Sequence, residues 1–403
     1  VLSELKDFLT TANEVSSVID PDPANTGGGN VTGVTAEDDA PSETWTLTCT
    51  AGGVTGTFSV TGSVSGAQAA ATVGTPYDNN IVAFTINDGT PDFVIGDNFT
   101  FTVTQIMGDE KWTTQRHTVD YNGEGDDELI ILGPGSAGDA TDEVCVGIRT
   151  YRDTTEGYYN WELNGYTGYV APSDFYSQPG SIGATRSLLP QVLLDDGITR
   201  YWFVANGRRV AGCLKVSGIY APFYLGLILP YGTPNAFPYP LVIGGSAVYD
   251  DYSVEYLKHS STRYTHRGFP DPYSVDTATG ISSCRLLNGS WVSFGNWTSD
   301  AVGERTNIIW PKIYAEEYIH PYTPNKIIDY AERNVDNTYP MFPLILAASS
   351  PRNNIFGEFQ GCFAVFGNGM YSEDDITYGG GTYKIFQNCF RIGAKDFWAL
   401  KLE

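Results

Sequence analysis

From Thr44 onward the chain interleaves threonine with apolar residues: Trp45, Leu47 and Cys49 alternate with Thr44, Thr46, Thr48 and Thr50. A period of two places one set on each face of a pleated strand, whereas a helix would scatter the apolar set around its axis. The pattern returns in Phe58 and Val60 between Thr57, Ser59 and Thr61, and in Phe99, Phe101 and Val103 between Thr100, Thr102 and Thr104. Between these lies the strand-like run Ile81-Val82-Ala83-Phe84-Thr85-Ile86. Asn87-Asp88-Gly89 and Gly96-Asp97 supply the positive φ that tight reversals need. This spacing predicts a small antiparallel β-sandwich or barrel over residues 43–105.

The rest of the chain divides by composition. Residues 2–16 fit a short N-terminal helix with Ser3 as its cap and Leu2, Leu5, Phe8, Leu9 and Val15 near one face. Residues 21–42 are Asp, Pro, Gly, Asn and Thr, so 1–42 reads as a helix and flexible arm. Residues 106–143 read as a polar connecting segment. Residues 144–403 read as a larger β-rich region with a split near 249, its strands including Val144–Tyr151, Tyr158–Leu163, Tyr201–Ala205, Val210–Val216, Ser290–Phe294, Cys362–Phe366, Thr382–Gln387 and Phe397–Lys401. Pro222, Pro230, Pro234, Pro238 and Pro240 argue for extended loops rather than central strands in their stretch. Pro324–Arg333 is compatible with a helix. Asn-Gly, a strong hairpin signal, stands at Asn122, Asn164, Asn206, Asn288 and Asn368. The expected fold class is therefore mainly β: antiparallel sandwich or barrel domains with a short N-terminal helix and an extended arm.

Charge narrows the partners. Lys and Arg number 23 against 47 Asp and Glu, a formal charge of −24, with no clustered basic stripe. Phosphate backbones and anionic membranes are bound through clustered cations, so neither nucleic acid nor membrane is an expected partner. No apolar run reaches the ~18 residues of a membrane helix. The N-terminus has no signal-peptide pattern, which points to a chain made in the cytosol and reduced when it folds. The six cysteines (Cys49, Cys145, Cys213, Cys284, Cys362 and Cys389) lie in apolar runs without any CxxC, and read as free buried thiols rather than a zinc or redox site.

No residue set carries a catalytic, cofactor or metal signature. His117, His259, His266 and His320 form no HExxH or His-x-His, no GxSxG elbow exists, and Gly27-Gly28-Gly29 and Gly379-Gly380-Gly381 lack a following Lys-Ser/Thr. The acidic runs read as solvated surface; Asp126–Glu128 and Glu373–Asp375 are where a cation would be sought. Tyr151, Tyr158, Tyr159, Trp161, Tyr166 and Tyr169 crowd one stretch, followed by Tyr201-Trp202-Phe203. Such rings suit a carbohydrate platform or a protein interface, and equally cross-strand packing.

Two stretches resemble known proteins. Glu43-Thr44-Trp45-Thr46-Leu47-Thr48-Cys49, Gly56-Thr57-Phe58-Ser59-Val60, Ala71-Thr72-Val73-Gly74 and Phe84-Thr85-Ile86-Asn87-Asp88-Gly89 through Asp97-Asn98-Phe99 resemble a small β domain recurring in tailed-bacteriophage structural proteins, including head-decoration and tail proteins. Tyr201-Trp202-Phe203-Val204-Ala205-Asn206-Gly207-Arg208-Arg209, Phe237-Pro238-Tyr239-Pro240 and the ending Tyr383-Lys384-Ile385-Phe386-Gln387-Asn388 to Phe397-Trp398-Ala399-Leu400 look like virion proteins of such phages. The resemblance implies a virion part, of tail or baseplate rather than head, and no chemistry. The expectation is a non-enzymatic structural protein, made in the host cytoplasm, assembling as a homo-oligomer (trimer or hexamer) with other virion proteins at a tail tip, baseplate or fibre attachment. Three alternatives stand beside it: a host-surface glycan-binding module using the aromatics of 151–169, a head decoration or fibre protein, and a glycan-degrading enzyme with a carboxylate pair.

Overall fold

The computed structural model describes residues 1–16, 19–135, 142–153, 158–194, 198–232, 241–248, 266–267, 269–270, 273–274, 282–286, 289–293, 307–310, 341–348, 354–365, 370–387 and 397–402. The chain is mainly β, in antiparallel sheets with one short N-terminal helix. It forms two compact units, one of residues 3–111 and one that runs from Trp112 to the C-terminus.

The smaller unit holds the threonine-rich alternation. Its seven-stranded sheet runs Asn13–Val15, Asn98–Gln105, Glu43–Ala51, Thr57–Gly62 and Gly66–Ala67, with Asp20–Pro21 and Ala71–Thr72 added to inner strands. A three-stranded sheet, Asn30–Ala36, Val82–Asn87 and Pro76–Asp78, packs over it. The period-two set points inward: Trp45, Leu47, Cys49, Phe58, Val60, Phe99, Phe101 and Val103 meet Phe84 and Ile86 in one core. Trp45 pairs with Phe101 across strands, and Phe84 of the second sheet meets Phe101 edge-on at 6.0 Å. Threonines take the other face, where their β-branched side chains favour the strand at no cost in buried polar groups.

The N-terminal readings differ from the structure in two ways. The helix is Leu2–Thr10, and the chain then turns into the strand Asn13–Val15, because Asn13, Glu14 and Val15 pair with Gln105, Thr104 and Val103. The segment expected as a flexible arm belongs to the sandwich. Asn30–Ala36 forms an edge strand that needs little apolar content, with Val31 as its buried residue, since backbone pairing supplies most of what an edge requires. Likewise the polar passage 106–143 holds the strands Thr113–Thr118 and Glu128–Gly133, the second fully apolar at Leu129-Ile130-Ile131-Leu132. The boundary between the units falls at Lys111.

The larger unit contains three larger sheets. The first runs Thr113–Thr118, Glu128–Gly133, Val144–Asp153, Tyr158–Tyr166, Pro190–Leu193 and Ala247–Val248. The second runs Ile198–Asn206, Arg209–Val216, Ile219–Leu227, Leu241–Gly244, Ser282–Arg285 and Trp291–Ser293. The third runs Asn307–Trp310, Met341–Ala348, Asn354–Val365, Phe397–Leu402, Gly381–Gln387 and Asp375–Tyr378, with Leu229–Pro230 beside Asn354–Val365. One core of Cys213, Tyr224, Val242, Phe269, Leu346, Phe359, Cys362, Trp398 and Leu400 joins the second and third sheets, so packing runs straight across 249. Pro222, expected outside a central strand, lies within Ile219–Leu227 opposite Cys213. The neighbouring strand Leu241–Gly244 pairs only with Tyr224 to Leu227, so at the level of Pro222 that side has no ladder to break. Asn206-Gly207 leads a hairpin as expected, Asn206 Oδ1 accepting from Arg208 N and Arg209 N. Asn164-Gly165, by contrast, lies inside Tyr158–Tyr166. Pro324–Arg333, Pro234, Pro238, Pro240, Asn288, Asn368, Cys389, His259 and His320 lie outside the described residues.

Candidate functional site

The first sheet of the larger unit carries charges where a core would be expected. Strand pairing sets Glu128 opposite Arg149 and Arg149 opposite Glu162, and Glu162 faces Gln191 on the next strand. All four side chains therefore share one face in a row across the sheet. Glu128 accepts from Arg149 Nε at 2.8 Å, and its other oxygen lies 2.7 Å from Arg116 Nε. Glu162 is fully buried; it pairs with Arg186 and accepts from Tyr176 OH at 2.7 Å. Rings insulate the cations: Arg149 sits 4.3 Å from the Tyr121 centroid and 4.6 Å from that of Phe175, and Arg186 lies 3.1 Å from that of Tyr151. The result is an alternating ladder, Arg116–Glu128–Arg149 and Glu162–Arg186, shielded from water.

The lid of this ladder is the connection 167–189, and its fastenings are specific. Arg116 Nη1 donates to Ser173 O, and Tyr166 OH and Asn164 Nδ2 both donate to Phe175 O. Asn164 Oδ1 accepts from Ile182 N. Inside the loop, buried Gln178 accepts from Val170 N and donates to Val170 O and Ser173 O, while Asp174 Oδ1 caps Tyr176 N and Ser177 N. Gly147 lets Tyr166 and Phe175 cross the sheet, since a Cβ there would meet Tyr166 OH at 2.5 Å. Beneath lie Ile130, Cys145 and Leu189.

Titration follows this burial. Desolvation pushes the Tyr121 phenol up to about 12 and raises Tyr176 well above its ordinary value, the latter helped by the carboxylate of Glu162. Burial pulls Arg149 and Arg186 down, but the carboxylates of Glu128 and Glu162 overcome it and hold both guanidiniums above their usual range. Glu128 is engaged by arginine on both oxygens, and Glu162 by Arg186 on one and by the Tyr176 hydroxyl on the other. The ladder therefore fastens a loop to the sheet.

The acids marked for a cation are engaged by protein groups, except that buried Asp126 Oδ1 has no hydrogen-bond partner among the described residues. Asp126 Oδ2 accepts from Asn122 Nδ2 at 2.7 Å, Asp127 Oδ1 accepts from Asp120 N, and Glu128 belongs to the ladder. Glu373 pairs with Lys215 and Arg200 and accepts from Tyr220 OH at 2.8 Å; Asp375 pairs with Lys384. Among the described residues no group of three or more His, Cys, Asp or Glu is arranged to hold a metal. Five cysteines, Cys49, Cys145, Cys213, Cys284 and Cys362, are buried and free.

The aromatic block divides. Trp161 is 1% exposed and packs edge-on against Phe223, and Tyr166 is buried under the lid. Tyr151 covers Arg186, and Tyr159 is half-buried. Among the described residues the most exposed tyrosines are instead Tyr371 and Tyr378, which sequence clustering did not single out because they stand alone. Nor did it find the ladder, whose members are spread over seventy positions of sequence; the available signal was a charge set within each apolar strand, such as Arg149 after Val144-Cys145-Val146-Gly147-Ile148.

No protein-family model and no curated protein matches the chain. Among solved structures, the crystal structure of Xanthomonas campestris FlgL matches at 19% identity over 23% of this chain and 29% of its own, with a TM-score of 0.18. So small an overlap carries no argument about fold or function.

Proposed function

We propose that this chain is a structural protein that contributes a rigid surface to a larger assembly, a virion of a tailed phage at the tail tip, baseplate or a fibre attachment, with no catalytic role. The observation that carries this reading is how the acids of the larger unit are engaged: Glu128 by Arg116 and Arg149, Glu373 by Lys215 and Arg200, and Glu162 by Arg186 and Tyr176 of the loop 167–189, which it ties to the sheet. A chain that spends its buried ion pairs on immobilising an outer loop gains a fixed shape to present, which an assembly subunit needs. Homo-oligomerisation is part of the proposal, closed symmetry being the usual solution for such subunits.

The test combines two measurements on the full chain. Light scattering coupled to size-exclusion chromatography should give one discrete closed oligomer, and purified polysaccharides incubated with it should remain intact. A monomer at all concentrations would overturn the assembly reading. Hydrolysis lost on a Glu or Asp substitution would replace it with an enzyme. Specific glycan binding lost on changing Tyr371 and Tyr378 to Ala would favour host attachment.

A further inference from the structure

The smaller unit has two ends, defined by the strand Asn98–Gln105. At its Gln105 end, Ile106 N and Met107 N are bonded to Ala12 O, and the chain continues to Lys111. At its Asn98 end, ~25 Å away for eight residues of strand, three loops converge: 22–29, 52–56 and 88–97. Asp97 binds the first and third of them together, accepting from Thr26 N, Gly27 N and Val94 N at 2.8, 3.0 and 2.9 Å. Gly53 N donates to Phe93 O and Gly28 N to Pro91 O, so the loops also hold one another by backbone.

This rigid end exposes apolar side chains that packing does not need. Ile95 is 74% exposed and Val54 61%, and Val94 stands beside them. Asp22, Asp88 and Asp92 are exposed on the same loops, which contain no Lys or Arg. The whole unit of residues 3–111 has two lysines, no arginine and fifteen Asp and Glu. Aliphatic groups fixed at a loop tip gain by burial, and carboxylates around them favour a cationic rim on what covers them. The same end of a second copy would oppose like charges, and an anionic bilayer would repel it.

We propose that the 22–29, 52–56 and 88–97 end of the smaller unit is a docking surface for another protein, one that offers an apolar groove edged with lysine or arginine. Val54, Val94 and Ile95 enter the groove and Asp22, Asp88 and Asp92 meet its rim. This goes beyond the assembly reading by assigning a place and a partner chemistry, and it stands whether or not the partner is a virion protein.

The probe is a labelled fourteen-residue amphipathic helix of leucine and lysine, titrated by fluorescence anisotropy against the full chain, with a leucine–glutamate peptide as control. The comparison is a V54S/I95S variant, and V64S, whose valine is 69% exposed in the turn between Thr57–Gly62 and Gly66–Ala67. That turn is tied to the Glu43–Thr44 end of its neighbouring strand, the end away from the three loops. The proposal expects the lysine peptide to bind, the glutamate peptide not to, V54S/I95S to weaken binding about tenfold or more and V64S to leave it within about twofold. Equal affinity in all three proteins, or an equal fall in both variants, would overturn it, because the peptide would then be reading net charge alone. Two other results would overturn the choice of partner. One is binding to phosphatidylcholine vesicles lost in V54S/I95S; the other is self-association in sedimentation lost in the same variant.

Discussion

Asp97 is the sharpest point at which to test the loop-end architecture. Its carboxylate is buried and spans three backbone donors, Oδ1 taking Thr26 N and Oδ2 taking Gly27 N and Val94 N. Burial alone would raise its pKa, but the three N–H groups outweigh that and hold it below the usual carboxylate range. Asp97→Asn keeps the shape and replaces one oxygen by an NH2. The amide oxygen satisfies at most two of the three donors, and the third faces another donor. A hydrogen bond to a charged group is worth about 1.5–3 kcal/mol, and a stranded buried donor adds to the loss, so the variant should be destabilised by about 3 kcal/mol. The readout is amide hydrogen exchange of the full chain, followed on peptides from Glu43–Ala51 and Asn98–Gln105, the core strands of this unit. Each 1.4 kcal/mol is a factor of ten, so protection should fall about a hundredfold at neutral pH. The sign of the pH dependence is fixed as well. Because the folded pKa is depressed, the stabilisation is complete above the unfolded value of about 3.9 and disappears as pH falls through the folded value. The gap between wild type and variant should be constant from pH 7 to about 5 and should close toward pH 2. Protection within twofold of wild type at pH 7, or an undiminished gap at pH 2, would refute the reasoning.

Glu162→Gln leaves Arg186, whose side chain is 25% exposed, without its charged partner and should cost about 1–3 kcal/mol; limited proteolysis should then cut within 167–189 faster than in the wild type. Trp161→Ala, emptying a site against Phe223, should destabilise the chain by about 3–5 kcal/mol in chemical denaturation. Tyr371→Ala, at a side chain 76% exposed, should change stability by less than about 0.5 kcal/mol. Burial pushes the thiols of Cys145 and Cys362 up to about 12, so the five described cysteines should stay unreactive to a thiol reagent at pH 8 until denaturant is added.

The smaller unit was legible because its information is local. Alternation at Thr44–Thr50 and Thr57–Thr61 fixes which face is buried, and a slip of one residue would expose Trp45 and Leu47, so the register needs no long-range knowledge. The segment 21–42 was misread because an edge strand is held chiefly by backbone bonds, and composition does not report those. Pro222 was misread for a related reason: whether a proline breaks a ladder depends on where the neighbouring strand stops. The aromatic stretch 151–169 failed as a guide because Tyr151 and Tyr166 lie toward the ladder and its lid while Trp161 points to the opposite face against Phe223; a count of rings per segment discards that alternation.

The charge of −24 also divides unequally once the structure is known. In the larger unit half-buried arginines meet buried carboxylates: Arg116, Arg149 and Arg186 are bound by Glu128 and Glu162, where losing the arginines would strand a buried negative charge. Such pairs contribute specificity of shape more than net stability. In the smaller unit no arginine exists, and its buried carboxylates are satisfied by backbone and hydroxyl donors: Asp97 as above, and Glu43 by Val64 N, Ser65 N and Ser65 Oγ. Each of these acids sits at an end of the sandwich and pins a turn or set of loops without help from a cation. Two of its outer acids pair with its two lysines, Lys6–Asp7 and Lys111–Asp38, so its acids outnumber the cations it can offer them. An exposed surface of one sign is costly in self-repulsion and steers oppositely charged partners at long range. A unit that holds its loops without cations and carries fifteen acids against two lysines suits the proposed docking to a partner edged with positive charge.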